Sequence, residues 1–545
     1  MQPPNDAEAS GEHRGSAVAD LDRLRVQLAD GVVRGVTRGG IDSWRGIPYA
    51  RPPIGALRWR APDSVVPWSG ERDASRFGTI SAQFQRNPRT GLPSLRGSGE
   101  DCLTINVHVP SGEVRSASLP VMVFIHGGGY SAGSSREFSE QGQSFIHAGP
   151  IVYVSFNYRL GPLGYLDFTR YSAPDRGFES NLGLRDQVAA LHWVRENIAA
   201  FGGDPSNVTI FGESAGANAV TTLMATPSAE GLFVGAIAQS DPVDAVYYPE
   251  QTAQWAADFI DILSRQARTP IDPDRLESAG SLLARADVRQ LLHASSTLQI
   301  QTPDAYPGMF CLAPVVDGDF LPEHPMVAFQ SGRAHRVPMI IGSNDREGSL
   351  FRGRVDIIPR TPGRIQALFQ DAPGPSRALI HAVYPGLPAP HDAADFAGDY
   401  GFWYPSTRAA DFHSRFAPVW VYRFDFAPTV LRLVGLDATH GLEMFALFDE
   451  LDVPIARIIT SLGGRRAYAA AGGRMRANWV RFAIDGAPAD SWSPYTASRR
   501  STLIIDETDR IEDDPRSLRR LAWSEFLPRL AEGAVGLSQE RAPEP

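Results

Sequence analysis

One stretch limits what this chain can fold into more than any other: Phe201-Gly-Gly-Asp-Pro-Ser-Asn-Val-Thr-Ile-Phe-Gly-Glu-Ser-Ala-Gly216. A short apolar run, Val208 to Phe211, turns through Gly212, Glu213, Ser214, Ala215 and Gly216 into a proline-free run of small residues competent for a helix. Glycines two places either side of Ser214 let a strand and a helix pack closely around a strained serine, which holds its hydroxyl out at the top of a sheet. A bare G-x-S-x-G pattern is common by chance, so the strand before it and the helix after it carry the weight. A helix starting at Ser214 would also aim its positive end at negative charge developing there.

The flanking sequence predicts the rest of such a sheet. Leu103 to Pro110, Pro120 to Ile125 and Ile151 to Phe156 read as strands, and the last two are continuous apolar runs of the kind buried on both faces of a parallel sheet. Asn181 to Phe201 reads as a helix, with Leu184, Val188, Leu191, Val194 and Ile198 on one face. Val234 to Ser240, Val337 to Gly342 and Pro418 to Asp425 return to strand character, and Ala477 to Ile484 to helix. Strand and helix alternating in this way predict an α/β fold with a doubly wound parallel sheet and right-handed crossovers. Residues 250–335 read as mainly helical, with Gln251 to Leu263 and Leu282 to Ala294 the clearer helices, and are expected to cap the sheet. Residues 82–99 read as a long loop, a common form for a lid or site wall. Residues 1–20 and 532–545 have the polar composition of flexible tails, leaving 21–531 as one expected domain.

Composition removes several function classes. The net charge of −10 opposes nucleic-acid binding, which needs a basic face. The chain has no lysine, and its arginines are scattered. Two cysteines, Cys102 and Cys311, are too few for a disulfide scaffold or a cysteine-ligated metal. No apolar run approaches the ~18 residues of a membrane span and no signal-peptide core is visible, so a cytoplasmic protein is expected. No motif sets an oligomeric state.

A serine nucleophile needs a base, an orienting acid and donors for an oxyanion. Chain order Ser, acid, His suits this fold. The strand at 337–342 opens into Ser343-Asn-Asp-Arg-Glu-Gly348, which offers Asp345 and Glu347, and the residues alone do not separate these two. Of the histidines further on, His413 lies in a helical run and His391 beside prolines, whereas His440 sits in a loop after the strand 418–425. His126-Gly-Gly-Gly-Tyr130 follows a buried strand and suits an oxyanion site, because glycine lets backbone N–H groups converge. A phosphate cradle is the competing reading, but no lysine exists to complete one.

With these motifs in place the chain resembles the type-B carboxylesterases, α/β-hydrolase enzymes that include the cholinesterases. The resemblance runs from about Val26 to Leu530 and includes Gly46-Ile-Pro-Tyr-Ala50, Glu100-Asp-Cys-Leu103, Asn157-Tyr-Arg-Leu160 and His440-Gly-Leu-Glu443. It implies an α/β-hydrolase fold and a serine ester hydrolase with Ser214 as nucleophile, Glu347 as acid and His440 as base. It further implies an oxyanion hole of Gly128, Gly129 and Ala215, no metal or organic cofactor, and a small-molecule ester as substrate. Tyr130, Glu213, Leu350 and Phe351 are the positions expected at the substrate pocket. Amide, carbamate or xenobiotic ester hydrolysis on the same residues is the alternative. A non-catalytic binding protein on this fold is disfavoured, because every part of the machinery is present.

Three departures from the family pattern matter. Where relatives from secreted settings have a cysteine to bridge Cys102, this chain has Ser81, so Cys102 is expected to be a free thiol. Leu350 stands where cholinesterases place an aromatic ring for a quaternary ammonium, and the 82–99 loop has only Phe84, so choline esters are not expected substrates. Asp241 replaces the glycine that usually follows Gln239-Ser240, near the expected acyl pocket.

Overall fold

The computed structural model describes residues 23–527 apart from 87–92, 113–116, 138–141, 175, 269–271, 273, 352–355 and 371. The tails expected at 1–20 and 532–545, and the tip of the 82–99 loop, lie outside the described residues.

Among the described residues the molecule is organised on an eleven-stranded sheet. Its strands are β1 (Val36–Arg38), β2 (Ile41–Pro48), β3 (Thr104–Pro110), β4 (Leu119–Ile125), β5 (Val152–Phe156), β6 (Gly203–Glu213), β7 (Gly235–Gln239), β8 (Met339–Asn344), β9 (Val419–Phe424), β10 (Ser501–Ile505) and β11 (Arg510–Asp513). Their spatial order is β11-β10-β9-β8-β7-β6-β4-β5-β3-β2-β1. The run from β10 across to β5 is parallel throughout. Antiparallel strands close both sides, β3, β2 and β1 at one and β11 at the other.

The apolar runs are buried on both faces because successive side chains point to opposite sides. On one face Val123, Val154, Ile210 and Ile341 join the larger core with α1 (Leu182–Asn197) and α2 (Ala215–Met224). On the other, Met122, Phe124, Phe211 and Ile340 meet a second core that includes Trp479 and Phe482.

The strand before Ser214 is longer than its apolar centre indicates: β6 begins at Gly203, which pairs with Leu119, and the register shifts across its polar residues before Val208 pairs with Val121. The helix expected at 282–294 is two helices. α4 (Leu276–Arg285) ends before Asp287, which caps α5 (Val288–Ala305) by accepting the Gln290 N–H at 2.9 Å while Gln290 Oε1 accepts the Asp287 N–H at 2.9 Å. This reciprocal capping box fixes a helix start that apolar periodicity alone runs straight through. Before α4 lies α3 (Pro249–Gln266), and Phe84 of the 82–99 loop packs on His293 of α5 with ring centroids 4.6 Å apart. Further on come the short helices α6 (Thr429–Leu433) and α7 (Pro454–Ile459), then α8 (Arg465–Asp485), which extends well before the expected 477–484. Strands β10 and β11 and the last helix, α9 (Ser517–Phe526), have no counterpart among the sequence expectations. Among the described residues no helix is long and apolar enough to cross a membrane.

Candidate active site

Ser214 joins β6 to α2 at φ 58° and ψ −124°, a conformation that costs on the order of 1–3 kcal/mol for a residue with a Cβ. Its N–H donates to Gln239 O at 2.9 Å, which ties the turn to the end of β7. The flanking glycines make the crossing possible. A Cβ on Gly212 would sit 2.5 Å from the Gly216 carbonyl carbon, and one on Gly216 would collide with Ile125 O. The turn therefore locks strand and helix together with the hydroxyl at the apex.

The two partners arrive at the same carboxyl edge of the sheet, where open α/β sheets place their sites. Glu347 lies just beyond β8 and His440 in the loop following α6. Ser214 Oγ is 2.9 Å from His440 Nε2, and His440 Nδ1 is 2.6 Å from Glu347 Oε2. Because a carboxylate only accepts, Nδ1 carries a proton, and in the neutral imidazole Nε2 is left to accept from Ser214. The other Glu347 oxygen accepts from the Asn344 N–H at 2.6 Å and Ser240 Oγ at 2.7 Å. Asp345, the other acidic candidate, instead pairs with Arg516 at 2.7 Å and with Arg423 at 3.4 Å.

Backbone donors lie beside the serine. Gly128 (φ 107°) and Gly129 (φ 59°) form a left-handed turn that only glycine adopts freely. Among the described residues nothing accepts a hydrogen bond from the N–H of Gly128, Gly129 or Ala215, the last being an orphan donor at the first position of α2.

The surroundings are rich in acid. Burial opposes protonation of His440, but the carboxyls of Glu213 and Glu347, with Glu443 beyond them, more than offset it and raise the imidazole to about 9. Glu213 Oε1 lies 3.3 Å from His440 Nε2, and burial pushes its own carboxyl well above the usual range. Burial and neighbouring Glu347 do the same to Glu443, which accepts from Asn344 Nδ2 at 2.5 Å. Apolar walls complete the site. Phe402, in the π-helical turn Asp399–Trp403, lies 4.5 Å from the His440 ring and stacks on Phe351, which is 5.2 Å from it. Leu350 is exposed beside them. Tyr130 turns inward, stacked on Tyr165 and donating to Asn218 Oδ1 at 2.7 Å. Phe402 carries no sequence signal, since a π-turn inside an ordinary helical run sets its direction.

A serine, imidazole and carboxylate in one hydrogen-bonded row beside free backbone donors are the parts acyl transfer requires. Residues 22–368 match the model of the carboxylesterase family. The chain belongs to the carboxylesterase family. Its members are carboxylic ester hydrolases, and so is this chain. Similar proteins include the para-nitrobenzyl esterase of Bacillus subtilis, 35% identical over 90% of this chain and 96% of the relative. The fumonisin B1 esterase of Sphingopyxis macrogoltabida is 33% identical over 87% of this chain and 84% of its own. Among solved structures, a para-nitrobenzyl esterase matches with TM-score 0.78 at 34% identity, covering 92% of this chain and 99% of that one, which identifies the fold as α/β-hydrolase. A carboxylesterase of Geobacillus stearothermophilus matches with TM-score 0.75 at 30% identity, covering 92% and 100%.

This carboxylesterase has a clamp that the sequence expectations missed. Arg346, the neighbour of Glu347, donates from Nη1 to Asp437 Oδ2 at 2.7 Å and Gly435 O at 3.2 Å, and from Nε to Asp395 at 2.8 Å. Its N–H donates to Ala438 O at 2.9 Å. One residue thus grips the loop that delivers His440 while its neighbour supplies Glu347. Arg516 and Arg519, at the start of α9, hold the same region: Arg516 donates to Asp345 and, at 3.0 Å, to Asp399, which Arg519 also meets at 3.0 Å. Arg346→Ala should lower kcat about a hundredfold, the scale of a small misplacement of a reacting group, with KM little changed. Arg346→Lys, able to replace only part of the fork, should fall between. Equal kcat for wild type and Arg346→Ala would refute the clamp.

Asp241 is fully buried in this carboxylesterase, and neither carboxyl oxygen has a hydrogen-bond partner among the described residues. The nearby Thr221 hydroxyl bonds to carbonyls of its own helix, at 3.2 Å to Asn218 O. Burial therefore pushes the Asp241 carboxyl well above the usual range. A group that holds its proton more tightly when folded loses stability as pH rises past its unfolded pKa, by about 1.4 kcal/mol per pH unit until the folded pKa is reached. Asp241→Asn cannot ionise, so its advantage in Tm over wild type should widen from pH 5 to pH 8. Parallel Tm curves across that range would show that Asp241 is not buried in this way.

Proposed function

We propose that Ser214, His440 and Glu347 hydrolyse carboxylic esters through an acyl-enzyme. The observation that carries this reading is the continuous row at 2.9 and 2.6 Å from Ser214 Oγ through His440 to Glu347. Ser214 Oγ attacks the ester carbonyl carbon as His440 Nε2 takes its proton. The carbonyl oxygen becomes an oxyanion facing the N–H groups of Gly128, Gly129 and Ala215, while Glu347 holds the imidazole tautomer and steadies the imidazolium. Collapse breaks the bond to the alkoxy oxygen, which leaves with the proton from His440. Water then attacks the acyl carbon, giving its proton to His440, and Ser214 regains a proton as the acid departs.

The substrates are small to medium, uncharged esters. The aromatic wall of Phe351 and Phe402 beside His440 favours an aryl or alkyl group there, and Leu350 gives no ring for a quaternary ammonium. The names of the para-nitrobenzyl and fumonisin B1 esterases are also those of ester hydrolases. Residues 21–531 act as one catalytic unit, with the 250–335 insert and the 82–99 loop walling the site. The buried free thiol of Cys102, opposite Ser81, suits a cytoplasmic enzyme. The test is a panel of p-nitrophenyl and p-nitrobenzyl esters of graded acyl length beside an anilide and a carbamate. Turnover of the esters alone supports the reading, and preferential turnover of the anilide or carbamate overturns it.

A further inference from the structure

The three amides beside Ser214 belong to two separate elements. Gly128 and Gly129 lie in the loop after β4, whereas Ala215 opens α2. Amides stabilise an oxyanion well only when they are held in place before the charge develops, so the position of the loop against the helix matters. At the near end of the loop, packing sets that position. A Cβ on Gly127 would lie 2.5 Å from Glu213 O, and one on Gly216 would collide with Ile125 O. At the far end the loop turns back on itself: the N–H groups of Ser131 and Ala132 both donate to Gly128 O at 3.1 Å. A Cβ on Gly129 would meet nothing closer than Ser131 Oγ at 3.9 Å, so no such close approach fixes that residue.

The next residue supplies the tie to the helix. Tyr130 donates from its hydroxyl to Asn218 Oδ1 at 2.7 Å, and among the described residues this is the one side-chain hydrogen bond between the loop 126–131 and α2. Asn218 is itself held on two sides. Its N–H donates to Ser214 O at 3.0 Å in the first turn of α2, and its Nδ2 donates to Pro242 O at 3.0 Å in the segment beyond β7. With Nδ2 committed to a carbonyl, Oδ1 is the atom presented to Tyr130. Tyr130 has φ 53°, a costly conformation for a bulky side chain that persists where the surroundings over-determine it. Here they do. The ring stacks on Tyr165 with centroids 3.9 Å apart, the carbonyl accepts from the Gly161 N–H at 2.7 Å, and the hydroxyl reaches Asn218. Burial pushes the phenol well above its usual range, so it keeps its proton and remains a donor. A phenylalanine could stack in the same way, but only the hydroxyl reaches α2.

We propose that the Tyr130–Asn218 hydrogen bond is a strut that sets the Gly128 and Gly129 amides against the Ala215 amide, which makes both side chains positioning residues and rests on the oxyanion role proposed for those amides. An aryl trifluoromethyl ketone reads the strut directly: Ser214 Oγ bonds to its carbonyl carbon, the π pair moves to oxygen as an oxyanion, and the serine proton passes to His440 Nε2. Tyr130→Phe keeps the ring and loses the bond. It should lower kcat for p-nitrophenyl acetate about thirtyfold, less than the roughly hundred- to thousandfold of deleting an oxyanion donor, and leave KM within about twofold. Affinity for the ketone should fall by the same factor as kcat. Asn218→Ala should behave likewise, and the double variant should lose no more than the larger single loss, because the second change finds the bond already gone. Thermal melts identify the folded variants, and a merely structural bond would lower Tm while leaving kcat and ketone affinity at wild-type values. Wild-type kcat in Tyr130→Phe, a fall in kcat with ketone affinity unchanged, or single losses that multiply in the double variant would each overturn the strut. Equal ketone affinity in wild type and Ser214→Ala would overturn the acyl-enzyme reading and the strut with it, whereas failure of the strut alone leaves that dependence on Ser214 intact.

Discussion

Ser214→Ala is expected to abolish covalent labelling by a fluorophosphonate and to lower kcat for p-nitrophenyl acetate by about a million-fold, the scale seen when a serine nucleophile is removed from an intact site. The change deletes only Oγ, leaving the strained turn, the donors at Gly128, Gly129 and Ala215, and the fold in place. Residual turnover should match what oxyanion stabilisation and binding supply alone, roughly a thousandfold over water. Labelling that survives in Ser214→Ala would move the nucleophile to another residue and end the proposed mechanism.

Glu347→Gln separates orientation from mere presence of an acid. The amide keeps the shape of the side chain but offers a donor toward His440, which favours the wrong imidazole tautomer, and the expected loss in kcat is about ten-thousandfold. The pH profile gives a second reading. Burial depresses the His440 pKa while Glu213 and Glu347 raise it more, to about 9, so removing the Glu347 charge lowers it. Since Nε2 must be unprotonated to accept from Ser214, the acid limb of kcat against pH should move to lower pH in Glu347→Gln even as the plateau falls. An acid limb that stays where wild type has it would mean that Glu347 does not act on His440.

The sequence made much of this legible, for reasons tied to particular residues. β4, β5 and β8 are continuous apolar runs because both sheet faces are covered, so composition alone marks them. Ser214 and His440 stood out because glycine and loop context surround them. Spacing could not separate Glu347 from Asp345, which lie two residues apart beyond the same strand, because the difference is made by Arg516 and Arg423, remote in the chain. Arg346 and Phe402 were invisible for the same reason: an arginine's three partners and a π-turn's change of direction are tertiary facts. The break at Asp287 was legible in principle, since Asp followed three residues later by Gln is a capping signal, but the apolar period across it prevailed.

Arg516 sits 171 residues beyond Asp345, yet it grips that residue and so steadies the loop bearing Glu347. A polypeptide halted between His440 and Arg516 contains Ser214, Glu347 and His440 but lacks the arginine that steadies the loop bearing Glu347. Under the proposed mechanism, hydrolytic competence should therefore await the addition of Arg516, and shorter products that already hold Ser214, Glu347 and His440 should remain silent.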